Sequence, residues 1–137
     1  MKKRSETFEK GLAMRKRVLG DEYVERAFRK ADDMTMPLRE IVTEFAWGGV
    51  WARPGLPLKT RSLATLAMCV ALNRPKEIKI HLRGAVRNGC TRTEIRELLL
   101  HSFIYCGGPA ALDGFAAVAE ALPQIEKEEK KRKRATS

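Results

Sequence analysis

The sequence is poor in the residues that cross-linked or metal-dependent small proteins rely on. It has three cysteines, Cys69, Cys90 and Cys106, and no two of them form a Cys-x-x-Cys pair. An odd number at these spacings argues against a disulfide framework and against a thiolate zinc site. Cys69 and Cys106 lie in apolar runs and read as small core hydrophobes, and a reducing, cytoplasmic setting is expected. There are two histidines, far from any cluster of other ligands, so no metal is expected. Gly-rich phosphate loops and Gly-x-Ser-x-Gly elements are missing. No apolar run approaches the roughly 18 residues a membrane helix needs, so no membrane association is expected. The start, Met1-Lys2-Lys3-Arg4-Ser5-Glu6, has no apolar h-region, and a secretory leader is not expected.

Acidic residues are also scarce, 17 against 27 Lys and Arg, leaving a net charge of +10. The location of that excess decides its meaning. Lys2–Arg4 carry three of the ten charges, residues 124–137 carry three, and the body 5–123 carries four. The tail Lys130-Lys131-Arg132-Lys133-Arg134 has no interleaved aromatics and so no stacking platform. It reads as a solvated, flexible extension, with nonspecific polyanion contact as the lesser alternative. Nucleic acid is not an expected partner otherwise. The modest excess in the body suits a small anionic substrate.

At 137 residues the chain is long enough for one real core. The expected organisation is one helical domain over 1–123 followed by the basic tail 124–137. Periodicity is helical nearly throughout, so the class is all-α, a compact bundle of about six to seven helices. The first helix spans about Glu6 to Leu19 and stops at Gly20. Asp21 caps a second, to about Lys30. Pro37 opens a third that runs through Ile41, Phe45 and Trp47. After the loop Arg53-Pro54-Gly55-Leu56-Pro57, a fourth covers about Thr60 to Leu72. It is apolar on almost every side and is expected to be buried all round. A fifth spans about Pro75 to Asn88. The sixth starts from a Thr91/Glu94 capping box and reaches Tyr105. The seventh begins at Pro109, is rich in Ala and Gly, and ends near Leu122-Pro123. The small residues and the apolar fourth helix imply an oligomer.

Both tryptophans fall in one stretch, Glu44-Phe45-Ala46-Trp47-Gly48-Gly49-Val50-Trp51-Ala52-Arg53-Pro54-Gly55. Apolar walls with a few polar groups suit a small-molecule pocket, and equally suit a helix end anchored by packing. His81 shares a helix face with Ile78, Leu82 and Ala85, where it is either an acid–base group or a hydrogen-bonded core histidine. His101 aligns with Glu94 and Glu97 and reads as a surface residue. Arg53 and Arg61 either bind a carboxylate or pair with Glu44 or Glu77. Tyr105 either donates a hydrogen bond or only packs.

Several segments in order resemble the carboxymuconolactone decarboxylase family, in its gamma-carboxymuconolactone branch. They are Gly11–Asp21, Glu44–Gly55, Thr60-Arg61-Ser62-Leu63, His81-Leu82-Arg83, Asn88-Gly89-Cys90-Thr91, Glu94-Ile95 and Ile104-Tyr105-Cys106-Gly107. The likeness covers roughly residues 8–122. It implies an alkylhydroperoxidase D-like fold and a homotrimer or homohexamer. It also implies cofactor-independent conversion of 4-carboxymuconolactone to 3-oxoadipate enol-lactone, a step of aromatic catabolism in the beta-ketoadipate pathway. Peroxide reductases of that superfamily use two cysteines ahead of the shared histidine. Arg74 and Glu77 stand at those positions here, which disfavours thiol chemistry. The resemblance assigns His81 and Glu44 to catalysis and Arg53, Arg61, Trp47, Trp51 and Tyr105 to substrate binding. Gly49 replaces an acidic residue of the family pattern and Leu112 replaces an asparagine. Both departures point to a different small carboxylic acid as the alternative substrate.

Overall fold

The computed structural model describes residues 3–137. All regular structure among them is helical, as expected of an all-α chain. Seven α-helices follow in order: α1 (Glu6–Leu19), α2 (Asp21–Arg29), α3 (Met36–Ile41), α4 (Leu58–Ala71), α5 (Pro75–Arg87), α6 (Arg92–Cys106) and α7 (Gly108–Thr136). A π-helical segment, Val42–Trp51, continues α3. The helices form two compact units, one ending at Pro57 and one spanning Leu58–Ser137. The boundary falls in the Pro/Gly turn, inside the stretch 1–123 that the sequence reads as one domain.

In the first unit, α1 is well specified by its own residues. The Ser5 side chain accepts a hydrogen bond from the Phe8 N–H at 3.0 Å and caps the helix. Glu6 and Glu9 in the first turn and Lys16 and Arg17 in the last complement the helix dipole. Gly20, at φ 97°, ends it in a conformation that side-chain-bearing residues avoid. That same glycine precedes α2, and Asp21 is the first helical residue rather than its cap, contrary to the sequence expectation. Phe8 meets Phe28 edge-on, with ring centroids 6.5 Å apart, and joins α1 to α2.

The closest approach in this unit is between α1 and the π-helix. A methyl group at Gly11 would lie 2.0 Å from the Thr43 carbonyl oxygen, and one at Gly48 would lie 2.1 Å from that of Thr7. Only glycine at both positions lets the two backbones touch.

The second unit has a core from four helices, including Leu66 and Val70 of α4, Ile78 and Leu82 of α5, Ile95 and Leu99 of α6, and Leu122 and Ile125 of α7. The Thr91/Glu94 capping box is present: the Glu94 N–H donates to Thr91 Oγ1 at 3.1 Å, and the Thr91 N–H donates to Glu94 Oε1 at 2.9 Å. Gly114 lets α7 press on its neighbours, since a methyl there would sit 3.1 Å from Leu99 Cδ2.

Two further expectations change. The seventh helix does not stop at Pro123 but runs through it to Thr136. A mid-helix proline removes a hydrogen bond and crowds the preceding turn. Here tertiary contacts outweigh that cost. Ile125 and Glu129 are buried, and Glu126 and Glu128 pair with Arg92 and Arg83. The basic segment is therefore helical, with residues 130–137 exposed. Helix α4 is not buried all round in this chain: Met68 is 63% exposed, and Leu72, just past the helix end, is exposed too.

Candidate functional site

The segment with both tryptophans departs from α geometry. The Ala52 N–H donates to the Trp47 carbonyl, five residues back, at 3.0 Å. Wide turns of this kind are rare and gather at functional sites. Thr43, Trp47 and Trp51, spaced four apart, are its buried residues. The two indoles stack, with centroids 4.8 Å apart and planes inclined by 22°. Trp47 is 4% exposed and Trp51 9%, so the packing role weighed from sequence is real. Phe45 and Val50 point the other way and are exposed.

Glu44 is half-buried, and the Ser5 hydroxyl donates to its Oε1. The carboxylate thus reaches back to the cap of α1. A cavity of about 230 Å³ opens there, lined by Lys3, Arg4, Ser5, Phe8, Glu40 and Glu44. A larger cavity of about 380 Å³ has an apolar floor of Leu12, Val24, Phe28 and Met36. It holds none of the sequence-predicted residues, and its Glu25 is already paired with Lys16 at 3.5 Å. We therefore do not place the chemistry there. Arg53 follows the π-helix and is exposed, with its backbone N–H donating to the Val50 carbonyl at 3.0 Å.

The remaining candidates belong to the second unit. Arg61 lies half-buried in the first turns of α4. Its neighbour Ser62 is buried and accepts from Asn88 Nδ2 at 2.9 Å, which ties α4 to the end of α5. His81 is half-buried on α5, beside the fully buried Ile78, Leu82 and Ala85, as the periodicity predicts. The basic face of the same helix is tied to α7 by Lys79–Glu120 at 2.7 Å and by Arg83–Glu128. Such half-exposed pairs add little stability. His101 is exposed, as expected. Tyr105 is 77% exposed, with its ring centroid 5.1 Å from that of His101. Within each unit, then, the structure groups Glu44, Trp47, Trp51 and Arg53 on and just after one segment, and distributes Arg61, His81 and Tyr105 over α4, α5 and α6.

Cys106, read from the sequence as a core residue, is exposed, whereas Cys69 and Cys90 are poorly suited to thiol chemistry. Burial, reinforced by Glu94 and opposed by Lys59, pushes the Cys90 thiol up to about 11. Burial and Glu77 raise that of Cys69 as well. Both thiols stay protonated near neutrality, when the thiolate is the reactive form. Among the described residues no group of three His, Cys, Asp or Glu side chains could hold a metal ion. No helix among them is long and apolar enough to cross a membrane.

Sequence reasoning missed three supporting residues: Ser5, Thr43 and Arg15. Arg15 had a visible signal, because it interrupts the apolar stripe Phe8, Gly11, Val18 of α1 with a charge. The contacts of Ser5 with Glu44 and of Thr43 with Arg15 had none, since each joins residues distant in the chain.

Comparison with known proteins adds to this geometry. Residues 37–120 match the model of the carboxymuconolactone decarboxylase family. The chain is 44% identical over 126 residues to nitrosuccinic acid decarboxylase npaB of Metarhizium robertsii, covering 91% of this chain and 88% of that protein. It is 43% identical over 104 residues to a 4-carboxymuconolactone decarboxylase of Acinetobacter baylyi, covering 76% of this chain and 78% of that one.

Proposed function

Because the chain belongs to the carboxymuconolactone decarboxylase family, we propose that it is a decarboxylase of small dicarboxylates that carry their own electron sink. The carrying observation is the near-equal similarity to two decarboxylases whose named substrates have different skeletons. Nitrosuccinic acid has a carboxylate and a nitro group on one carbon and a CH₂-carboxylate arm beside them. In 4-carboxymuconolactone the reacting carbon carries a carboxylate, an alkene conjugated to the lactone carbonyl, and the same CH₂-carboxylate arm. The shared element is a succinate with an electron acceptor on the carbon that loses carbon dioxide.

The chemistry balances without another reagent. The C–C bond to the carboxylate breaks, and its electron pair moves onto the nitro oxygens or through the alkene onto the lactone oxygen. A proton then adds to carbon, and carbon dioxide is released. The protein must hold the arm, favour loss of charge and deliver a proton.

Each candidate residue takes a role in that scheme. Arg53 or Arg61 binds the unreactive arm, where binding energy remote from the breaking bond is put to use. His81 donates the proton, or a hydrogen bond to the developing anion. Trp47 and Trp51 give an apolar wall that disfavours the charged carboxylate relative to the delocalised transition state. Glu44 is assigned to the acid–base step, and Tyr105 is a second donor. Gly49 and Leu112 are the positions expected to choose between acceptors.

The test is to supply nitrosuccinate and 4-carboxymuconolactone separately and follow carbon dioxide. Release from either, with none from unsubstituted succinate, is expected. No release from both would overturn the proposal. A homotrimer or homohexamer belongs to the same proposal, supported by exposed Met68, Leu72, Phe103, Ile104 and Leu112. A monomeric mass by light scattering would remove it.

A further inference from the structure

Arg15 is out of place for a helix of this charge. It lies on the inward stripe of α1 and is 8% exposed. Its Nη1 donates to Thr43 Oγ1 at 3.0 Å, and its guanidinium lies over the Phe28 ring at 5.8 Å. Its Nε is buried and has no hydrogen-bond partner among the described residues. Burial works against its charge, and nearby Arg39 adds to that, with Tyr23 opposing. A methionine or leucine would fill this space without desolvating a cation. What the arginine adds is direction.

Its partner Thr43 stands where α3 gives way to the π-helix. The Thr43 hydroxyl donates to the Arg39 carbonyl at 2.7 Å, and that carbonyl also accepts from the Val42 N–H. Arg15, Thr43 and the Arg39 carbonyl thus form one hydrogen-bonded chain across the transition. The Gly11 and Gly48 contacts set where the two helices cross, and the Arg15–Thr43 hydrogen bond adds a directional side-chain tie beside that crossing. A one-residue slip would turn the π-helix by about 80–100° and carry both indoles off the face they now occupy.

We infer that Arg15 and Thr43 are a positioning pair, which locks the π-helix in the register that stacks Trp47 on Trp51. Their catalytic consequence rests on the proposed function, in which the indoles wall the substrate. Their structural consequence does not.

The experiment therefore reads both. Trp47 and Trp51 are the chain's two tryptophans, so their stack gives an exciton couplet in circular dichroism that Trp47→Phe abolishes. Thr43→Val keeps the shape and removes the hydroxyl, and Thr43→Ser restores it. The couplet is expected to collapse in Thr43→Val and in Arg15→Met and to return in Thr43→Ser. With whichever substrate the wild type turns over, kcat should fall toward about 10²-fold, the scale of an ångström-sized misplacement, while KM changes less. A change confined to thermal stability, with couplet and kcat intact, would mean plain packing and overturn the inference. Should Thr43→Val not fold, Arg15→Met decides, since it keeps the bulk and removes the donor to the Thr43 hydroxyl: an undiminished couplet there overturns the inference. A wild-type chain with the couplet but no turnover of either substrate sinks the proposed function and leaves the pair to the spectra. A wild-type chain lacking the couplet sinks the pair.

Discussion

Two adjacent glycines should respond to the same substitution in opposite directions. At Gly48 an added methyl carbon would lie 2.1 Å from the Thr7 carbonyl oxygen and 3.0 Å from Thr7 Cγ2. Ordinary contact begins at 3.4 Å, so the α1 and π-helix backbones must part by about 1.3 Å. Overpacking of this kind costs about 1–3 kcal/mol, and a backbone oxygen cannot swing aside as a side chain can. The gap also weakens dispersion along the whole crossing. Against this stands about 1 kcal/mol from replacing a helical glycine by alanine. A clash this deep with a backbone oxygen falls at the upper end of the overpacking range, so the net for Gly48→Ala is a loss of roughly 2 kcal/mol. At Gly49 the nearest atom to an added methyl is the Glu44 carbonyl oxygen at 3.9 Å, so only the favourable propensity remains. The two variants should differ by about 3 kcal/mol, or roughly 10 °C in melting temperature for a chain of this size. Thermal unfolding followed by far-UV circular dichroism and by tryptophan fluorescence measures both. Melting temperatures within about 2 °C of each other, or Gly49→Ala as the less stable, would refute the close crossing.

His81→Ala should lower decarboxylation by about 10²–10⁴-fold without unfolding the protein, and near-normal turnover would remove the imidazole from the mechanism. Arg53→Ala and Arg61→Ala should mainly raise KM if they anchor the unreactive arm, and an unchanged KM in both would reassign them to structure. A thiol reagent at pH 8 should spare Cys90, whose thiol is pushed up to about 11, until the protein is unfolded, and prompt labelling of that residue in the native state would contradict its burial. Glu129 is held below the usual carboxylate range first by its hydrogen bonds from Arg132, with the charges of Arg132, Arg87 and Lys133 adding and burial opposing. A depressed folded-state value means stability that is present above the ordinary 4.5 and lost as pH falls through the folded value. Glu129→Gln should flatten the acid limb of the stability curve below about that ordinary value, and an unchanged acid limb would show that the ion pair carries no linkage.

Much of the helical skeleton was legible because its signals are local. Gly20 ends α1, Pro75 opens α5 and the Thr91/Glu94 box starts α6, each through groups a few residues apart. His81 could be placed beside the core because its periodicity with Ile78, Leu82 and Ala85 is a property of one helix. The site was legible only as residue types. Trp47 and Trp51 looked like either packing or a wall, and the sequence alone had no means of stating that they stack. The segment that carries them crosses α1 through Thr43 and Gly48, whose partners Gly11 and Thr7 lie far back in the chain. Glu44 was legible as a carboxylate of the site, but its partner within its own unit, Ser5, was not, because the second role of an exposed cap residue has no sequence signature.

By itself the sequence determined the all-α class, most helix ends, the lack of a paired-thiol motif and the family resemblance, since each follows from short-range spacing or residue identity. Tertiary structure alone decided the π register of Val42–Trp51, the burial of Arg15 and the passage of α7 through Pro123. In each case a locally unfavourable state is held by groups remote in sequence. A wide helical turn is held by a glycine crossing, a buried cation by a hydroxyl 28 residues away, and a proline-containing helix by core burial of Ile125 and an ion pair spanning 45 residues. Local propensity opposes all three states, so no local pattern could announce them.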